Sequence, residues 1–215
     1  MDDAKQKVAD GFGLYMVLTG PLRGYEYLVS MAVAHDIAFV QLRMKDVPPQ
    51  IVRRTALSLR LLTINTKTKL IINDDPELAR DTQADGVHVG QDDMPYGAVR
   101  RIVGPAAIIG LSTHSPAQTQ SACLQNVDYI GVGPVFTTPT KQIPDPPLGL
   151  DTMKQMVALS TVPAVAIGGI GIAELPAVLA AGARNFCMVR PLCQSNTPEK
   201  VLIEVLKIWR DYREG

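Results

Sequence analysis

The sequence predicts a single (β/α)8 barrel built from residues 1–215. Eight short apolar runs recur along the chain, and each is followed by a segment with helical spacing or a helix-starting residue. Strands that alternate with helices pair in parallel through right-handed crossovers. A chain of 215 residues suits closure of eight such units into one TIM barrel. An open doubly wound sheet is the competing arrangement, but no strand opens into a G-x-G-x-x-G turn. No linker, repeat or low-complexity tract divides the chain.

The first strand is GLYMVL from residue 13, followed by the helical segment EYLVSMAVAH. The second is IAFVQLR from residue 37, followed by PQIVRRTALSLRLL, and the third is KLIIN from residue 69, followed by DPELARD. DGVHV from residue 85 leads to YGAVRRIV, and AIIGL from residue 107 leads to SPAQTQSACL, where Pro116 suits a first helical turn. DYIGV from residue 128 is separated from LDTMKQMVAL by a long segment rich in proline and threonine. VPAVAI from residue 162 leads to a helix expected to start near Ile172, within GIAELPAVLAA. FCMVR from residue 186 precedes TPEKVLIEVLKIWRDY.

Composition narrows the partners. With 21 basic and 21 acidic residues the chain has no net field to hold a nucleic acid or an anionic membrane, so neither partner is expected. The N-terminus lacks the basic and apolar regions of a secretory signal. The richest apolar stretch, residues 161–183, is broken by Pro163, Pro176, Glu174 and several glycines, so no membrane span is expected. A soluble, cytoplasmic protein follows. Cys123, Cys187 and Cys193 have neither metal-ligand spacing nor a disulfide framework, and each reads as a small buried hydrophobe. Homo-oligomerisation is left open.

Barrel active sites are built at the C-terminal ends of the strands. In VQLRMK, side chains alternate, so Gln41, Arg43 and Lys45 share one face and Val40, Leu42 and Met44 the other. The apolar face suits the helix layer, which leaves an amide, a guanidinium and an ammonium at the mouth, where they suit an anionic ligand. A solvated strand end is the alternative. The third strand ends in Asn73-Asp74 and the fourth in Gly90-Gln91-Asp92-Asp93, which sets carboxylates on adjacent loops. Two carboxylates with ligand phosphate oxygens and water make an oxygen set for Mg²⁺, while helix N-capping is the alternative for both Asp74 and Asp93. Ser112-Thr113-His114-Ser115 either donates hydroxyls to phosphate or starts a helix. His88 reads as a filler of a barrel layer. Gly168-Gly169 lies after the seventh strand, where backbone N–H groups approach an anion, so the mouth accommodates two phosphorylated substrates.

The stretches QLRMKD, LIINDD, ADGVHVGQDDMP, IIGLSTHS, DYIGVGPVFTTPTK, PPLGL and VAIGGI, in this order, resemble the thiamine phosphate synthase family over essentially the whole chain. The resemblance implies a Mg²⁺-dependent transferase that joins a hydroxymethylpyrimidine diphosphate to a thiazole phosphate, releasing pyrophosphate. It further implies that Asp74 and Asp93 bind Mg²⁺ and that Gln41, Arg43, Lys45, Asn73, Ser112 and Lys141 hold the pyrimidine diphosphate. Thr138 and Thr140 match hydroxyls of the family's T-x-T-K loop, and Gly168 matches the thiazole phosphate site. In the family's reaction the pyrimidine methylene is thought to gain carbocation character as pyrophosphate departs. Arg43, Lys45 and Lys141 are the catalytic cations suited to that charge, with the loop of Lys141 folding over to exclude water.

The chain departs from the family pattern at several points. Leu18-Thr19-Gly20 stands where Thr-Asp often ends the first strand, Met44 and Asp75 replace commoner Glu and Arg, and Arg190-Pro191 replaces a small Ser-Ala pair. Pro191 has no N–H to donate, so Arg190 is expected to take over the thiazole phosphate. An ion pair with a nearby carboxylate is its alternative role. Two rival functions remain: an isomerase of thiazole phosphate with His114 as its acid or base, and a non-catalytic barrel that binds a phosphorylated ligand.

Overall fold

A computed structural model describes residues 7–138 and 146–215. Eight parallel strands close on themselves in chain order: β1 (Gly13–Leu18), β2 (Phe39–Leu42), β3 (Lys69–Asn73), β4 (Gly86–Val89), β5 (Ile108–Thr113), β6 (Tyr129–Val132), β7 (Ala164–Ala166) and β8 (Asn185–Met188), with β8 paired to β1. The outer ring comprises α1 (Tyr25–Ala34), α2 (Pro49–Thr63), α3 (Pro76–Asp81), α4 (Tyr96–Val103), α5 (Pro116–Leu124), α6 (Gly149–Leu159), α7 (Leu175–Ala180), a short α8 (Arg190–Cys193) and α9 (Pro198–Glu214). The predicted barrel is present. Among the described residues no helix is long and apolar enough to cross a membrane.

Both faces of most strands are buried, which is why they read as continuous apolar runs rather than alternating ones. The outward residues, such as Leu14, Met16, Val40, Leu42, Val87 and Val89, pack beneath the helices. The inward residues form a second cluster, with Val8, Tyr15, Val17, Phe39, Ile71, Ile108, Tyr129, Val165 and Cys187 filling the barrel. Its lower end is closed by Asn185, fully buried, which donates to Asp10 at 2.9 Å and to the Ala164 carbonyl at 3.1 Å and accepts from the Phe12 N–H at 2.8 Å. The upper end is left for ligands.

Two boundaries differ from the sequence reading. The helix expected near Ile172 begins at Leu175, because Gly171 to Glu174 form a turn in which the Glu174 carboxylate accepts the Gly171 N–H at 3.1 Å. The last strand stops at Met188, and Arg190 opens α8 instead of ending the strand, since Val189 has turned to φ −117° and ψ −77°. Pro191 fits there because a first helical turn needs no N–H from it. Cys187 and Cys193 are buried, as expected, but Cys123 is only partly so.

Candidate active site

Inside the upper barrel lies a cavity of about 340 Å³. Its lining includes Gln41, Arg43, Asn73, Ser112, Thr138, Gly168 and Arg190, so seven of the residues singled out in the sequence meet around one space. Lys45, Asp74 and Asp93 do not line it. They form a cluster on the neighbouring rim, tied to the cavity through the Asn73–Asp74 step at the end of β3. Thr140 and Lys141 lie outside the described residues.

The rim cluster is built by two adjacent loops. Asp74 adopts a left-handed backbone (φ 61°), uncommon for a residue with a Cβ, and its N–H is held by the His88 carbonyl of β4 at 2.8 Å. Its carboxylate accepts the Lys45 ammonium. Asp93, exposed at the rim, accepts the Gly90 N–H at 2.7 Å, so the GQDD loop folds back on itself. Partial burial first, and the Asp74 carboxyl next, hold the Asp93 carboxyl above the ordinary carboxylate range, while the Gly90 N–H and Lys45 oppose the shift. Neither aspartate caps a helix. The α3 cap is Asp75, which accepts the Leu78 N–H at 2.8 Å, and α4 starts after Pro95 without a side-chain cap. Two carboxyls crowded together and partly neutralised by a lysine suit a hard divalent cation that takes its other oxygens from phosphate and water.

Within the cavity the SxHS stretch divides its labour. Ser112 lines the space, Thr113 is buried and donates to the Gly131 carbonyl at 2.9 Å, and Ser115 caps α5 by accepting the Gln118 N–H at 3.2 Å. His114 lines the cavity with its Nδ1 2.5 Å from the Gly133 carbonyl oxygen. His88 fills a barrel layer, as read from the sequence, but it also lines the cavity and reaches Ser112 Oγ at 2.9 Å.

On the opposite arc, Gly168 (φ 98°) and Gly169 (φ 69°) carry the chain over the β6 loop. A Cβ on Gly168 would stand 2.5 Å from Pro134 Cα, so only glycine keeps this approach. Arg190 is exposed at the same rim, and among the described residues no ion pair engages its guanidinium. Tyr15, Tyr129 and Cys187 also line the cavity, although the sequence reading did not single them out. Their signal is parity: Tyr15 shares a strand face with Val17, and Tyr129 with Gly131, opposite to the residues that pack under helices.

Residues 14–192 match the family model described as thiamine monophosphate synthase. The chain belongs to that family. It is 42% identical over 185 residues to a thiamine-phosphate synthase of Gloeobacter violaceus, covering 86% of this chain and 54% of that protein. A thiamine-phosphate synthase of Caldicellulosiruptor bescii is 37% identical over 188 residues, covering 87% of this chain and 86% of that protein. Among solved structures, a thiamine phosphate pyrophosphorylase from Pyrococcus furiosus superposes with a TM-score of 0.85 at 27% identity, covering 94% of this chain and 98% of that one. The chain thus spans about half the length of the Gloeobacter relative but most of the other two. With relatives that are synthases, neither the isomerase nor the non-catalytic reading is favoured.

Proposed function

We propose that the chain is a thiamine-phosphate synthase, joining a hydroxymethylpyrimidine diphosphate to a thiazole phosphate to give thiamine phosphate and pyrophosphate. The observation that carries this reading is one cavity with two rims whose side chains and backbone suit anions. Arg43, Asn73 and Ser112 lie beside the Asp74–Asp93 pair on the β2–β5 arc, and Gly168 and Arg190 lie on the β7–β8 arc. Two phosphorylated molecules held that way would meet at their organic ends.

Asp74 and Asp93 are the residues that would hold Mg²⁺, which when bound would neutralise charge on the diphosphate. Arg43 offers a planar fork to two phosphate oxygens, and Lys45, now paired with Asp74, is within reach of the same charge. In the reaction the bond from the pyrimidine methylene carbon to the diphosphate oxygen breaks, and its electron pair leaves with pyrophosphate. The lone pair of the thiazole nitrogen then forms the new bond to that carbon. The chain supplies positioning and electrostatic stabilisation rather than a nucleophile. Val17, Val165, Ile167 and Ile170 line the cavity with apolar surface, which keeps water from capturing the electron-poor carbon. All three cysteines are free, as a cytoplasmic enzyme allows.

The reading is tested by pyrophosphate release with each substrate omitted in turn, and with EDTA. Release is expected only when both substrates and Mg²⁺ are present. Equal release from the pyrimidine diphosphate alone would make the chain a hydrolase and overturn the reading.

A further inference from the structure

Five polar side chains from five different strands meet in the wall of the cavity. Gln41 Nε2 lies 3.0 Å from the Tyr15 hydroxyl, which lies 2.8 Å from the Tyr129 hydroxyl; that oxygen is 2.9 Å from His88 Nδ1, and His88 Nε2 is 2.9 Å from Ser112 Oγ. Gln41, Tyr15 and Tyr129 are buried. We propose that these contacts form a one-directional hydrogen-bond wire that fixes His88 as the Nε2–H tautomer and turns the Ser112 hydroxyl hydrogen into the cavity, making Tyr15 and Tyr129 positioning residues for a ligand oxygen.

The direction follows from counting protons. An amide nitrogen only donates, so the Tyr15 oxygen accepts from Gln41 and the Tyr15 proton goes to Tyr129. Tyr129 then has its own proton to give, and the acceptor within reach is His88 Nδ1. A neutral imidazole carries one proton, which therefore sits on Nε2 and is donated to Ser112 Oγ. The Ser112 oxygen is occupied on that side, and its hydrogen faces the cavity that Ser112 lines. Burial raises the pKa of both phenols, so neither becomes a donor-free phenolate that would break the sequence.

The backbone makes room for this arrangement. Gly110, in the middle of β5, has no side chain where one would stand 2.4 Å from the Tyr129 hydroxyl and 2.5 Å from His88 Nδ1. A hydroxyl oriented before the ligand arrives needs no reorganisation when it donates. That the recipient is a phosphate oxygen rests on the function proposed above, whereas the wire does not.

The test uses the ligand-free chain labelled with ¹⁵N-histidine and two-bond proton–nitrogen correlation spectra at neutral pH. The chain has 3 histidines, and His88 is assigned by the signals that vanish in His88→Gln. The wild type is expected to have His88 as Nε2–H, with Nδ1–H becoming populated in Tyr129→Phe. Tyr15→Phe, one link further away, gives the same reading with a smaller change should Tyr129→Phe fold poorly. In kinetics, Tyr129→Phe is expected to lower kcat/KM for the pyrimidine diphosphate about three- to tenfold, and to have no further effect in a Ser112→Ala background. An Nδ1–H tautomer in the wild type, an unchanged tautomer in both phenylalanine variants, or an equal loss with and without Ser112 would overturn the proposal. The expected tautomers in a chain without turnover would uphold the wire and reject the synthase reading.

Discussion

The Lys45 ammonium pairs with the Asp74 carboxylate on the loop beside that of Asp93, whose carboxyl pKa is raised by burial and by Asp74. The neighbouring like charge raises the proton affinity of Asp93, and a cation bound beside it would relieve that repulsion. The adjacent Asp75 faces elsewhere and caps α3. Asp75 is thus a structural cap, and Asp74 and Asp93 are left as the pair proposed to hold a metal.

Asp74→Ala and Asp93→Ala are therefore expected to remove most Mg²⁺-dependent turnover while changing thermal stability little. Asp75→Ala is expected to do the reverse, costing about 0.5–2 kcal/mol of stability and leaving the Mg²⁺ dependence unchanged. Thermal melts and Mg²⁺ titrations of the three variants check this. A normal metal response in both of the first two would reject the metal assignment.

Lys141→Ala is expected to lower kcat by about 10²- to 10³-fold, by analogy with loss of one preorganised donor, with a smaller effect on ground-state binding. Steady-state kinetics in both substrates distinguish the possibilities. A change confined to the KM of the pyrimidine substrate would show that the lysine binds substrate and transition state alike.

The strands were legible because burial on both faces makes each one an unbroken apolar run, and the polar residues that follow them were legible because barrel mouths collect function. Gln41, Arg43, Asn73 and Ser112 were found on that basis and do share one cavity. Whether Asp74 and Asp93 were caps or ligands was not legible, since an Asp before a helix reads the same way in both roles; the structure removes the capping role, with Asp75 capping α3 and Pro95 preceding α4. Tyr15 and Tyr129 were missed because an aromatic inside an apolar strand carries no local mark of a polar partner. For Tyr129 the mark is on the neighbouring strand, at Gly110, where a missing side chain leaves room for its ring. The end of β8 was misread because the apolar run FCMV leads straight into Arg190, and the signal was Pro191, which suits a first helical turn better than a strand.

Gly110→Ala follows from the same packing. The added Cβ would lie 2.1 Å from Tyr129 Cζ and 2.5 Å from His88 Nδ1, which forces the buried Tyr129 ring and the half-buried His88 ring to move, and overpacking of this kind costs about 1–3 kcal/mol. A lowered denaturation midpoint is expected by circular dichroism. An unchanged midpoint would mean that the rings have slack the distances deny.

Arg190→Ser is expected to raise the KM for thiazole phosphate, leave that for the pyrimidine diphosphate nearly unchanged, and have less effect with the unphosphorylated thiazole alcohol. The guanidinium stands at the rim with Gly168, where it can grip two phosphate oxygens at once. An equal penalty for the phosphorylated and unphosphorylated thiazoles would show that Arg190 does not contact the phosphate.

The central claim is that this barrel by itself joins two phosphorylated substrates, and it is tested most directly by identifying the product. The purified chain is incubated with the pyrimidine diphosphate, thiazole phosphate and Mg²⁺, and the mixture is analysed by mass spectrometry. Thiamine phosphate is expected in amounts equal to the pyrophosphate released, and its absence, with both substrates recovered intact, would contradict the account.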